Sequence, residues 1–181
     1  ALAQQSLTVS SASAGAGSEV VLNIALSDTT GIAGANFTVK LANNDVLTFK
    51  KFDGTNVSEK AAAIASWQKD ENLVSATELR IVAYSAALPP VGLGAGSDVD
   101  MIKIHLQVAG GAATDATAQV SLDNGVDTSV TPNVGLTRLS DAAGVSITPT
   151  VNPGTVTVSA PAFPPVAFDF NAGQGDWTVI Q

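Results

Sequence analysis

The sequence predicts an all-β sandwich, and three observations carry that prediction. Nine short runs rich in Val, Thr, Ile and Ser recur with Gly, Asn, Asp or Pro between them, at 7–10, 20–26, 35–41, 46–52, 79–84, 101–108, 117–122, 145–148 and 155–159. β-Branched side chains fit a pleated surface, and short strands at such spacing with turn residues between them are written like a sandwich. Several runs also alternate: Phe37, Val39 and Leu41 against Asn36, Thr38 and Lys40, which is the pattern of a strand with one buried face. Finally, 45% of the residues are hydrophobic and only 13% charged, so a packed core is favoured over disorder, and 181 residues suit one such domain.

Taken in order, the runs at 7–10 and 20–26 are separated by a small-residue stretch ending in Gly17 and Ser18. A second small-residue run, Gly31 to Ala35, stands directly before the alternating strand at Phe37, and a polar corner, Ala42 to Asp45, follows it. Residues 56–72 dissent. Ser58 can cap a helix, Glu59 falls in its first turn and the body is Ala-rich, so propensity predicts a short helix near 58–70. A short strand at 63–67, beside 79–84, is the other reading, and the residues leave both open. The run at 79–84 is apolar on both sides; with Val82 and Tyr84 turned inward, Ile81 and Ala83 point out beside Ser85. Residues 86–98 are a Pro/Gly-rich loop. In 101–108, Ile102, Ile104 and Leu106 alternate with Lys103, His105 and Gln107, which puts the polar set outside. Asn124–Gly125 is a tight-turn signal. The sandwich therefore covers 1–159. Residues 160–181 open with three prolines in five positions and read as a linker followed by a tail or the start of a further module.

Composition excludes several function classes. A formal net charge of −8, with eight scattered Lys and Arg, lacks the basic clusters that nucleic acid requires. No apolar run approaches a membrane span. The absence of cysteine removes disulfides, thiol catalysis and thiolate zinc sites. The start "ALAQQS" resembles what a signal peptidase leaves behind, and fits a secreted or cell-surface protein. Hydrolysis by an activated serine needs a base, and the single histidine, His105, sits on a predicted strand as an outward sheet residue. Gly92–Gly96 lacks the following helix of a dinucleotide loop. Asp98 and Asp100 share a face, but two Trp and one Tyr in the whole chain make a poor sugar-cleaving cleft. No catalytic residue is assigned, and an enzyme is not expected. Asp169, Asn171 and Asp176 are spaced loosely like a calcium loop, yet Gly173 and Gln174 break the pattern twice, so no tight metal site and no cofactor is expected. The triplets at Asn36 and Asn56 match a glycosylation signal at the rate chance allows.

In order, "GSEVVLNIAL" (17–26), "GIAGANFTVKLANNDVLTF" (31–49), "LRIVAYSA" (79–86), "SDVDMIKIHLQV" (97–108) and "NPGTVTVS" (152–159) resemble a cohesin domain, the surface-protein module that docks dockerins. The resemblance spans Leu7 to Ser159. It implies a nine-stranded jelly-roll sandwich with first and last strands adjacent, and a flat sheet face, built by 36–41, 63–67, 79–85 and 101–107, that receives the partner. The chain departs from the family's pattern at several points. Leu41 and Asn43–Asn44 replace the usual Tyr and Asp-Pro of the corner. Gly34 stands where many cohesins place a contacting Asn, Asn36 where an Asp is common, and Ala86 where a Glu is often found. Standard dockerin specificity therefore does not carry over, and the domain reads as cohesin-like outside a cellulase complex.

The expected contact residues are Asn36, Thr38, Lys40, Ile81, Ala83, Ser85, Lys103 and His105. An apolar centre at Ile81 and Ala83 with a polar rim is what a modest docking surface looks like. The expected function is a non-catalytic extracellular protein-binding module, with calcium, if any, on a dockerin-like partner. A carbohydrate-binding module that takes polysaccharide, or a structural spacer in a surface protein, are the alternatives. The run Gly31 to Ala35 fits either a low edge that lets a partner approach or a loop that must pack closely under a sheet.

Overall fold

A computed structural model describes residues 4–129 and 134–161. The first strands in chain order are β1 (Ser6–Val9), β2 (Ala12–Gly15), β3 (Glu19–Leu26), β4 (Ile32–Leu41), β5 (Leu47–Phe49), β6 (Ser58–Lys60), β7 (Gln68–Ser75) and β8 (Glu78–Tyr84). They are followed by β9 (Val99–Val108), β10 (Thr117–Leu122), β11 (Val126–Asp127), β12 (Val134–Gly135), β13 (Arg138–Asp141), β14 (Ser146–Ile147), β15 (Thr150–Asn152) and β16 (Gly154–Ser159). Each of the nine runs predicted from sequence contains a strand. Two sheets stack face to face. Sheet I runs β15-β1-β3-β9-β5, with β6 also on β9. Sheet II runs β14-β13-β4-β10-β16-β2, with β8 on the other edge of β4 and β7 on β8.

The core lies between the sheets and follows the alternation. Leu22, Ile24, Ile104 and Leu106 of sheet I meet Phe37, Val39, Leu79, Ile81, Val120 and Val156 of sheet II, all buried. Burying aliphatic side chains of this size stabilises by about 1.5–3 kcal/mol each. The chain ends of the sandwich are parallel neighbours: β1 pairs with β15 and β2 with β16, which ties the first strands to the last as the family resemblance implies.

The segment 56–72 is neither a three-turn helix nor a strand at 63–67. It contains β6, a single 3-10 turn at Ala62–Ile64, and then β7. Ile64 and Trp67 are buried at the bottom of that turn, and Lys60 caps it by donating from Nζ to the carbonyls of Ala65 (2.7 Å) and Trp67 (2.5 Å). Helix propensity loses here because Gln68–Ser75 finds a seven-residue antiparallel register along β8.

Asn124–Gly125 does not close a two-residue hairpin. Asp123 accepts from the Gly125 N–H at 2.9 Å, an Asx turn, and the chain leaves the sheet there. It rejoins at Arg138, so β10 and β13 occupy two halves of one edge of β4. Between them, the described parts of the excursion 123–137 lie over the outer face of β4. The linker and tail beyond Pro161, with Asp169, Asn171 and Asp176, lie outside the described residues.

Candidate functional site

The two outer faces of the sandwich differ in kind. On sheet I, Lys103 pairs with Glu59 at 2.6 Å and Lys50 with Glu19 at 2.7 Å. His105 Nδ1 donates to the other Glu19 oxygen at 2.8 Å, and the Phe52 ring stacks on the imidazole with centroids 4.6 Å apart. Lys50 and then His105 hold the Glu19 carboxyl below its ordinary value. The His105 side chain is only 12% exposed, and its Nε2 is buried without a hydrogen-bond partner. This face carries its own ion pairs, with Val21 and Phe52 exposed among them. His105 is on the outer side of its strand as expected, but it is covered rather than turned to solvent.

The outer face of sheet II is open and apolar at its centre. Along β8, Ile81 and Ala83 are 1% and 0% exposed, whereas Val82 and Tyr84 are 46% and 45% exposed. The facing predicted from sequence is therefore inverted. Leu79 decides it: it is fully buried opposite Val39, and the period-2 pleat then sends Ile81 and Ala83 inward with it. Alternation over the whole strand carries the same signal, because Glu78 and Arg80 share the phase of Val82 and Tyr84; a reading of 79–84 that weighs only the apolar residues takes the other phase.

Around them, Gly34 and Asn36 from β4 make the floor, and Gly135, Arg138, Ser140 and Ser146 make one wall. The groove between wall and β8 has a volume of about 420 Å³. The opposite flank is β7, which presents Gln68, Asp70 and Asn72 outward. A Cβ at Gly34 would stand 2.6 Å from Ser140 Oγ, so only glycine keeps the floor at this depth beside β13. Gly31 answers a different need. It has φ +75° and packs against the Gly92–Leu93 loop, where a Cβ on Gly92 would sit 2.6 Å from the Gly31 carbonyl oxygen. The small-residue run thus fits the reading of close packing within the chain.

The remaining predicted contact residues are dispersed. Asn36 faces the groove but donates from Nδ2 to the carbonyls of Gly135 (2.7 Å) and Leu136 (3.2 Å). Thr38 is buried beneath the excursion, its hydroxyl donating to the Leu136 carbonyl at 2.6 Å and its N–H to Thr137 Oγ1 at 3.1 Å. Lys40 is held by Asp123 at 2.7 Å; the pair raises the lysine and lowers the aspartate from their ordinary values. Ser85 accepts from the Val91 N–H in the following loop. Lys103 and His105 are on sheet I, and 63–67 is a turn outside both sheets, so of the four segments expected to form one face only 36–41 and 79–85 share one. β9 pairs with β3, β5 and β6, and non-local pairing of this kind leaves no trace in local sequence.

The excursion is pinned by charge. Arg80 bridges Glu78 (2.8 Å) and Asp127 (2.9 Å), and Arg138 donates to the carbonyls of Asn124, Gly125 and Thr137. The Ser129 hydroxyl and N–H, together with Arg80, hold the Asp127 carboxyl down to about 2. That depression means the tie is complete above the ordinary value of 3.8 and is lost as pH falls through about 2. Acidification from pH 4 to pH 2 should therefore strip hydrogen-exchange protection from the Leu136 and Thr38 amides while the β9 core amides stay protected. Unchanged protection at Leu136 would mean that Asp127 does not hold the excursion.

Comparison with solved structures gives the same architecture. The sixth cohesin of scaffoldin B from Acetivibrio cellulolyticus, solved in complex with a mutant Cel5 dockerin, superposes with a TM-score of 0.65 at 17% identity, over 87% of this chain and all of that one. A non-cellulosomal cohesin from the archaeon Archaeoglobus fulgidus gives 0.64 at 13% identity, over 87% and 93%. A type III cohesin module from the cell-surface anchoring scaffoldin ScaE of Ruminococcus flavefaciens gives 0.65 at 12%, over 88% and 89%. The chain has the cohesin fold. No family model matches its sequence, and no curated protein matches either. At these identities the likeness is one of backbone. Among the described residues no helix is long and apolar enough to cross a membrane, and no group of three or more His, Asp or Glu is placed to hold a metal ion.

Proposed function

We propose that this domain is an extracellular, non-catalytic protein-binding module that docks a dockerin-type partner on the outer face of sheet II. One observation carries the reading. Val82 and Tyr84 stand exposed along a groove with a polar wall opposite, whereas the opposite face of the sandwich is dominated by ion pairs, with Val21 and Phe52 exposed among them. An apolar centre with a polar rim is the anatomy of a modest interface, and tyrosine is among the residues that most often dominate binding energy. That cohesins of the same fold are solved in complex with dockerins supports a protein partner of that class.

The test is a panel of purified dockerin modules, in calcium and in EDTA, against the wild-type domain and its Val82→Glu and Tyr84→Ala variants. Calcium matters because D-x-N-x-D-G loops in the partner fold around the ion. A binder is expected, lost in EDTA, with Tyr84→Ala weakening it by at least about 2 kcal/mol as a central anchor does. Both changes are at exposed positions and should move stability by about 1 kcal/mol or less. Binding that survives Val82→Glu would displace the site from this face. Retention on a glycan array with no dockerin bound would make the domain a carbohydrate-binding module instead.

A further inference from the structure

The same face carries a charge pattern, and the inference drawn from it rests on the docking reading above. The registers of β13 on β4, β4 on β8 and β8 on β7 align one outward row across four strands: Arg138, Asn36, Val82, Asp70. The next row is Ser140, Gly34, Tyr84, Gln68. With neighbouring strands about 4.8 Å apart, the ends of a row are about 14 Å apart. A cation therefore stands on one flank of the apolar centre and an anion on the other.

Neither charge is cancelled within the described residues. No carboxylate lies within 4.0 Å of the Arg138 guanidinium and no cation within 4.0 Å of the Asp70 carboxylate; among the other described cations Lys51 and Lys60 are likewise without an acidic partner, and Lys40, Lys50, Lys69, Arg80 and Lys103 each have one. The carbonyls of Asn124, Gly125 and Thr137 orient the guanidinium and leave its charge standing in the groove wall. In a chain of net charge −8, an arginine without a carboxylate partner thus stands beside the exposed pair Val82 and Tyr84.

We propose that the partner is a helix lying along β8, with an apolar stripe flanked by an acidic side chain toward β13 and a basic one toward β7. The dimensions agree. Val82 and Tyr84 are two strand residues, about 6.7 Å, apart, and helix positions i and i+4 are about 6 Å apart along the axis. A helix about 10 Å across also fills the space between the two flanks. Opposite charges at the rim set orientation and exclude wrong partners more than they add affinity.

The experiment uses a yeast-displayed helical-hairpin library with a constant apolar i, i+4 stripe and flank positions varied among Glu, Gln and Lys, sorted on the purified chain. Clones with Glu on one flank and Lys on the other should bind about tenfold or more tighter than their flank-swapped counterparts. On Asp70→Lys, which alters an exposed side chain that makes no hydrogen bond, the Lys flank should turn to Glu; on Arg138→Gln the preference for the acidic flank should disappear. Clones that lose binding to Val82→Glu but show no flank bias overturn the charge inference and leave the docking face intact. Clones indifferent to Val82→Glu sit elsewhere and overturn both. A dimer in sedimentation velocity that Asp70→Lys dissociates would place a second copy on this face and overturn the helical partner.

Discussion

Ile81→Asp should cost about 4 kcal/mol or more of stability, enough to unfold much of the population at 37 °C. Its side chain is 1% exposed, between Phe37 and Glu71 in register and against the sheet I core. The substitution removes an aliphatic group worth about 2–3 kcal/mol of burial and puts a carboxylate in the same space, beside Glu71, which already holds the nearby Lys69. The neighbouring change Val82→Asp faces solvent and should alter stability by about 1 kcal/mol or less. Urea denaturation followed by circular dichroism compares the two directly. Equal midpoints for both variants would mean that β8 is not faced as described, and the whole assignment of the docking face would fall with it.

Glu71→Ala is the second large effect, expected at about 3–5 kcal/mol. Although β7 is an edge strand, Lys69 and Glu71 point inward from it and are almost covered, with side chains 12% and 9% exposed. Burial pushes the Glu71 carboxyl up, but Lys69, the Ser58 hydroxyl and the N–H groups of Val57 and Ser58 together outweigh it and hold the group below its ordinary value. Lys69 lies 2.7 Å away and the Val57 N–H 2.5 Å. Truncation strands a buried ammonium and two backbone donors at once, and an unmatched buried charge costs more than the pair contributed. Glu71→Gln keeps one acceptor oxygen and should lose distinctly less. A depressed carboxyl adds stability that is present above pH 4.5 and lost as pH falls below it, so the gap between wild type and Glu71→Ala should close in acid. A gap that is small at pH 7, or constant down to pH 2, would show that Glu71 is not the hub joining β6 to β7. Inward charges on an exposed edge also discourage strand addition from another chain, which is consistent with the proposal that docking uses the sheet face.

What was legible in the sequence was whatever a single strand decides for itself. Phe37, Val39 and Leu41 are inward and Ile102, Ile104 and Leu106 likewise, because each run mixes apolar and polar residues with period two and only one phase buries the apolar set. The order of such runs was enough to name the architecture, since a cohesin sandwich is specified by strand order and turn placement more than by particular side chains. The facing of β8, fixed by Leu79 meeting Val39, was also signalled locally, since Glu78 and Arg80 share the outward phase of Val82 and Tyr84. Two things required the tertiary structure. The fate of 56–72 depends on whether β8 offers an open edge, which outweighs helix propensity of a few tenths of a kcal/mol per residue. The membership of a sheet is the second. Lys103 and His105 read as face residues and are, but of the face opposite Asn36, because β9 pairs across the chain with β3 instead of joining β4 and β8. Local sequence sets which side of a strand is wet. Long-range pairing decides which wet sides share a surface, and a docking site exists only at that second level.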